Sequence, residues 1–265
     1  MNIIFIGDVV SEPGLAYLEA GLPALTQQLE PDFIVVNAEN LAPDAGMTAA
    51  TLERLFALGV DCVTGGNHSW DGPEGRTVHD DPRVLRPLNR GPNWPGRGAV
   101  VFEKRGLRLG VLSVASRTAI PDVDTPFLAI ESQLEQWQTM TDAVLVDFHG
   151  ESVFEKLSLA FAFDGLISAF LGTHTHVQTS DLRILPRGTA YVSDVGMTGA
   201  GGGIQGYEPN GFVTRFRTQG ASKSAKRAAS GPVEFGAVLL ELTDARVTKA
   251  QRLGERPATL GEPGA

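Results

Sequence analysis

Residues able to bind metal ions or move protons recur in one kind of place in this sequence, the exit of a short apolar run. Residues 60–64 pass through Gly65 and Gly66 directly into Asn67 and His68, an amide beside an imidazole. Residues 2–6 lead into Gly7-Asp8, 33–37 into Ala38-Glu39-Asn40, and 143–148 into His149-Gly150. Residues 165–171 lead into Gly172-Thr173-His174-Thr175-His176. Taken singly, each has an ordinary explanation: Asp8 caps the next helix, Glu39 and Asn40 are loop polar groups, and a lone histidine is a satisfied structural residue. Recurrence at strand exits is what those explanations do not predict. Four of the five histidines stand at such exits, and His79, in the polar stretch 77–82, reads as solvated surface. His174 and His176, two residues apart at a strand end, should point to the same side. Two carboxylates, two amides and several imidazoles form a mixed oxygen and nitrogen donor set, which suits Fe, Mn or Zn better than Ca or Mg.

The composition limits what such a site can serve. The chain has 265 residues, long enough for one large domain or two small ones, with 42% hydrophobic and 20% charged residues. Its formal charge of −9 argues against gripping duplex DNA, which needs a basic face. Positive charge for any phosphate chemistry must therefore be local, from metal ions or a few basic side chains. Cys62 is the single cysteine and sits in an apolar run, so it reads as a buried thiol rather than a nucleophile, and no intramolecular disulfide can form. No basic region precedes the apolar residues 1–6, and no window approaches the roughly 18 apolar residues of a membrane span. The chain reads as a cytoplasmic protein with no membrane partner.

The elements that must position these residues can be read from periodicity. Residues 2–6, 33–37 and 60–64 are buried strands. Between them lie a helix from Ser11 and Pro13 with Leu15, Leu18, Leu22 and Leu25 on one face, and a second helix capped by Thr48. This alternation predicts a largely parallel sheet covered by helices. Prolines at 73, 82, 87, 92 and 95 mark an irregular covering segment. Residues 99–103 and 107–113 should form a hairpin about Lys104-Arg105-Gly106, 130–140 and 152–162 helices, and 143–148 and 165–171 further strands. Beyond Thr189 we expect strands at 190–193, 212–216, 235–242 and 247–252, forming a second sheet packed on the first. The glycine-rich stretch 196–206 contains no phosphate-binding loop motif and reads as a flexible rim. The basic stretch 223–227 reads as a solvated loop, and Arg183 and Arg187 as surface arginines within reach of a phosphate. Residues 1–253 are expected to form a single domain and 254–265 a flexible tail.

With Gly66-Asn67-His68 and Gly172-Thr173-His174-Thr175-His176 at strand ends, the sequence resembles the calcineurin-like metallophosphoesterase superfamily. More specifically, Asp147-Phe148-His149, the run from Gly172 to Thr179, and Ser193-Asp194-Val195-Gly196-Met197-Thr198-Gly199 resemble the YmdB-like family. Two departures from the wider superfamily, Asp8-Val9-Val10 and Glu39-Asn40, are features of that narrower group. A third, Gly150 in place of an expected alanine, carries little weight.

The resemblance implies an α/β fold, a metallophosphoesterase four-layer sandwich with two packed mixed β-sheets flanked by helices. It also implies two metal ions per chain, most readily iron, then manganese, with zinc a poorer fit. One would be held by Asp8, Glu39, Asn40 and His176, the other by Glu39, Asn67, His149 and His174, with Glu39 shared. Two divalent ions bring +4 against −2 from the carboxylates, a positive pocket in an acidic protein, and can lower the pKa of a bridging water. The implied reaction is hydrolysis of 2′,3′-cyclic nucleotides to 3′-nucleotides, by attack of a metal-bridging hydroxide with His68 as the catalytic proton donor. No substrate-contacting residue is assigned. The nearest rival is a phosphomonoesterase or broader nuclease using the same centre; a rival of another class is a regulatory nucleotide-binding protein with little turnover. The expected partner is a small cyclic nucleotide or phosphodiester, and homo-oligomer formation is left open.

Overall fold

The computed structural model describes residues 1–117, 119–220 and 226–254. The chain begins with the expected alternation: β1 (Asn2–Ile6), α1 (Ser11–Leu29), β2 (Phe33–Asn37), α2 (Ala49–Ala57) and β3 (Cys62–Thr64). After an irregular stretch with two short 3-10 turns come the hairpin β4 (Ala99–Lys104) and β5 (Leu107–Ala115), then α3 (Pro126–Trp137), β6 (Ala143–His149), α4 (Val153–Ala162) and β7 (Ala169–Thr173). The remaining elements are β8 (Arg183–Ile184), β9 (Ala190–Val192), β10 (Thr198–Ala200), α5 (Pro209–Arg217), β11 (Val233–Phe235), β12 (Ala237–Thr243) and β13 (Arg246–Arg252).

Local sequence accounts for most of these boundaries. In α1, Leu15, Leu18 and Leu22 recur every three or four residues and are buried. The helix stops at Glu30, whose left-handed backbone returns its N–H to the Thr26 carbonyl just before Pro31. α2 opens on a capping box in which the Thr51 N–H donates to Thr48 Oγ1 and the Thr48 N–H donates to Thr51 Oγ1, each at 3.2 Å.

Alternation along the strands builds the layers. β1, β2 and β3 run parallel in the five-stranded sheet β13-β12-β1-β2-β3, while β5, β6, β7 and β9 run parallel in the six-stranded sheet β4-β5-β6-β7-β9-β8. Ile3 and Phe5 point from β1 into a core shared with Leu109, Val111, Leu145 and Leu171 of the other sheet. Ile4 and Ile6, one residue out of phase, pack with Leu15 and Leu18 of α1 and Leu52 of α2. On the far face of the second sheet, Val144, Val146 and Phe170 pack with Ile130 of α3 and Leu159 and Ala160 of α4. The result is the four-layer arrangement of two packed mixed sheets between helices. Because β1, β2, β3, β6 and β7 are mutually parallel within their sheets, their carboxyl ends gather along one edge of each.

Several expectations are corrected. Residues 212–216 lie in helix α5, not a strand: Phe-Val-Thr-Arg-Phe alternates like a strand, but Pro209 at the first turn starts a helix that packs Phe212 near Tyr207 and leaves Phe216 87% exposed. The C-terminal strands do not build a separate second sheet; β12 pairs antiparallel with β1 and so completes the first. The strand expected from 165 begins only at Ala169, because Gly165 has a φ of +82° and belongs to a turn. Of the rim expected at 196–206, residues 196–201 are buried, with β10 paired to β11, and only 202–205 reach the surface. Arg183 lies over the Tyr191 ring and Arg187 stands 3.8 Å from Asp164, so neither joins the strand exits described below. The tail expected over 254–265 lies outside the described residues except for Gly254. Among the described residues, no helix is long and apolar enough to cross a membrane.

Candidate metal centre

All eight residues singled out at the strand exits lie at this gathered edge, linked to one another by contacts within 4 Å. His149 is the hub. It closes β6 with its ring fully buried, and its Nε2 lies 3.0 Å from Glu39 Oε1, 3.0 Å from Asn67 Oδ1 and 3.0 Å from His174 Nδ1. Four donor atoms from β2, β3, β6 and β7 thus converge. Ligand atoms about 2.1 Å from one ion and at right angles to each other stand about 3 Å apart, so this spacing fits a shared cation.

Tautomer preferences point the same way. The Thr173 hydroxyl donates to Asp147 Oδ1 at 2.7 Å, so toward His149 Nδ1, 3.0 Å away, its oxygen can only accept. His149 therefore carries its proton on Nδ1 and turns the Nε2 lone pair inward. Asp147 is held in place by the Asn37 amide at 2.9 Å and the Thr64 hydroxyl at 2.5 Å, from the ends of β2 and β3 in the other sheet. His176 Nδ1 faces the Gln205 carbonyl at 3.0 Å, an obligate acceptor, which leaves its Nε2 free. His174 Nε2 faces Glu151 Oε2 at 3.4 Å, which leaves Nδ1 for the centre. Each of the three imidazoles has its outer nitrogen against an acceptor and its inner nitrogen toward the cluster.

Asp8 shows what the protein atoms alone do not satisfy. Its Oδ2 accepts the His174 N–H at 3.2 Å, but its buried Oδ1 has no hydrogen-bond donor and lies 3.9 Å from His176 Nε2. Burial pushes the Asp8 carboxyl up to about 8 in the absence of a cation. An orphaned buried carboxylate oxygen beside an inward-facing imidazole nitrogen has donor chemistry that fits a cation. Glu39 joins the two halves. Its Oε1 accepts from Asn40 Nδ2 at 3.1 Å and lies against His149, while its Oε2 accepts the His68 N–H at 3.0 Å. Burial opposes ionisation of Glu39, but the neighbouring His149 overrides it and holds the carboxyl well below its usual range; the same contact raises His149 to about 9 against its own burial. A cation bound here would replace that proton. Burial and the positive His149 together push His174 down to about 3.

Two backbone features make the convergence possible. Gly66 lies against the His149 ring, where a Cβ would stand 2.2 Å from Cδ2. β7 ends at Thr173, and His174 and His176 then adopt left-handed φ of +98° and +64°. The expected same-side placement by strand alternation is therefore wrong in its cause: the two rings reach the site through a strained bend, at about 1–3 kcal/mol for each such residue. The Asp194 carboxylate pins that bend by accepting the Thr175 and Gly196 N–H groups, and the buried Lys156 ammonium pairs with it at 3.3 Å.

His68 stands at the rim rather than among the ligands. Its ring is partly open to solvent, and Nδ1 contacts Asp71 Oδ2 at 2.6 Å, leaving Nε2 clear of that carboxylate. Asp71 was not singled out from the sequence, although an acid three residues after His68 is the available signal. Tyr207, whose hydroxyl donates to Asn40 Oδ1 at 3.4 Å, had no such signal. His79 is corrected: it is 2% exposed, with Nε2 2.8 Å from the Ser69 carbonyl, and it supports the loop behind His68 instead of facing water.

The chain is similar to several known proteins. A family described as YmdB-like protein matches residues 4–253. A Bacillus subtilis (strain 168) protein named 2′,3′-cyclic-nucleotide 2′-phosphodiesterase is 39% identical over 245 residues, covering 92% of each chain. The crystal structure of a hypothetical protein from Thermus thermophilus superposes with a TM-score of 0.90 at 38% identity, covering 96% of this chain and 99% of that one. A novel phosphatase from Mycoplasma pneumoniae superposes with a TM-score of 0.88 at 29% identity, covering 96% and 93%.

Proposed function

The chain belongs to the YmdB-like protein family, and on that premise we propose that it is a dinuclear-metal phosphodiesterase opening 2′,3′-cyclic nucleotides at the 2′ ester to give 3′-nucleotides. The observation that carries this reading is the shared placement of three imidazoles, each with its outer nitrogen against an acceptor and its inner nitrogen toward Glu39, Asn67 or Asp8. A cluster built for hydrogen bonding alone would not leave Asp8 Oδ1 without a donor.

One ion is assigned to Asp8, Glu39, Asn40 and His176, and the second to Glu39, Asn67, His149 and His174. Held there, divalent ions would supply Lewis acidity to the phosphoryl oxygens and acidify bound water. Iron is the assignment we favour for this thiolate-free oxygen and nitrogen set, with manganese next and zinc third. The chain's own part is orientation and proton transfer. Asp71 fixes the His68 ring through Nδ1, so that Nε2 is left to give its proton to the departing 2′ oxygen. The Glu39 carboxylate, by accepting the His68 N–H, keeps this acid in register with the ligands. No covalent nucleophile is needed: Cys62 is buried, and burial raises its thiol well above the ordinary range.

The test compares a 2′,3′-cyclic nucleotide, an aryl diester and an aryl monoester on anaerobically prepared protein whose metal content has been measured. About two metals per chain and a preference for the cyclic diester are expected. A preference for the monoester would replace this reading with a phosphomonoesterase, and metal-loaded protein inactive on all three would leave a nucleotide-binding role.

A further inference from the structure

We propose that Lys226 is a substrate-binding residue of this centre, its ammonium meeting the phosphoryl group on the side of the departing ester oxygen. The inference rests on the phosphodiesterase reading above and adds the residue that recognises the anion. Lys226 Nζ lies 3.5 Å from His68 Nε2. Since Asp71 occupies Nδ1, the Nε2 edge is the one turned to the reacting group, and Lys226 shares that edge.

The lysine is held there by its own backbone. Beside it, the Arg227 carbonyl accepts the Glu208 N–H at 2.8 Å, Ala228 bridges Tyr207, and the Ala229 N–H donates to the Gly206 carbonyl at 2.8 Å. This strap runs along the segment that carries the buried Tyr207, whose ring lies 5.3 Å beneath the ammonium and whose hydroxyl reaches Asn40. One side chain thus links a proposed metal ligand to Lys226. Among the described residues the ammonium contacts the His68 edge and the Tyr207 face, and no carboxylate neutralises it. A lysine that lacks a counter-charge, in a chain of formal charge −9, beside a centre that handles phosphate, is placed for an anionic oxygen. A stretch that reads as solvated in the sequence thereby gains a function.

The experiment titrates inorganic phosphate into metal-loaded wild type, Lys226→Gln, Lys226→Arg and the distant surface variant Lys249→Gln by calorimetry, and measures KM and kcat on a 2′,3′-cyclic nucleotide. In Lys226→Gln the phosphate Kd and the KM should each rise by about tenfold or more, as expected for loss of a charge-assisted contact. Metal content and melting temperature should be unchanged, Lys226→Arg should recover most of the loss, and Lys249→Gln should match wild type. Wild-type phosphate affinity and KM in Lys226→Gln would overturn the proposal. If the wild type binds phosphate but opens no diester, the phosphodiesterase reading fails, and the phosphate affinities alone still decide Lys226.

Discussion

Gly66→Ala isolates the convergence of strands on which the centre depends. The new Cβ would stand 2.2 Å from His149 Cδ2 and 2.4 Å from its Nε2. Contacting carbon atoms keep about 3.5 Å apart, so the overlap is about 1.3 Å and the ring or the 65–68 backbone must move by a similar amount. The ring has little freedom, with Nδ1 held by Thr173 and the side chain fully buried. Metal–ligand distances tolerate only about 0.2 Å, so a shift on the order of 1 Å removes Nε2 from the donor set. We expect loss of about one metal per chain and a fall in kcat/KM on the cyclic nucleotide of roughly 100-fold or more. The assay is elemental analysis after dialysis, steady-state kinetics and a thermal melt. Gly21→Ala is the matched control: it lies in α1, where an added Cβ would meet no heavy atom within 4 Å, and should gain roughly 0.5–1 kcal/mol without touching metal or turnover. Gly66→Ala protein with two metals and wild-type kcat/KM would refute the placement of His149 as a ligand.

His68→Ala should keep both metals yet lose about 100-fold or more on the cyclic nucleotide, with a smaller loss on an aryl diester whose leaving group needs no proton. Asp71→Asn should show a milder version of the same pattern, and unchanged kinetics in both variants would remove this pair from the mechanism. Stripping metal with a chelator should lower the melting temperature, since ions at about 100 times their Kd add about 2.7 kcal/mol to the folded state; identical melts of stripped and reloaded protein would count against folded-state binding. Burial lowers the His79 pKa, so as pH falls below 6.5 the unfolded chain takes up the proton first. The His79 contribution to stability is therefore complete above 6.5 and declines below it, down to the folded pKa. His79→Gln should flatten that part of the stability curve, and equal acid slopes in the two proteins would show that His79 is not held neutral.

The placement of the candidate residues at strand exits was legible because the relevant rules are short-range. Buried strands such as residues 2–6 and 33–37 are continuous apolar runs, and the first residues after them must lie at a sheet edge, so Asp8, Glu39 and His149 could be placed without any pairing information. Short-range rules failed where the backbone left its regular path or where partners came from afar. His174 and His176 reach the centre through left-handed conformations that Asp194, some twenty residues on, holds in place. The alternating 212–216 became a helix, because periodicity over five residues is weaker than a proline start and packing against Tyr207.

By itself, the sequence determined that the candidate residues would lie at strand ends, because apolar runs and the glycines that end them are encoded by neighbours. Only the tertiary structure decided that the carboxyl edges of two different sheets meet, that β12 returns to pair with β1, and that Asp71, Tyr207 and Lys226 close around His68 and Asn40. Those outcomes depend mainly on pairing and packing between segments far apart in the chain, whose free energy is shared across many contacts and leaves no periodic trace in either segment.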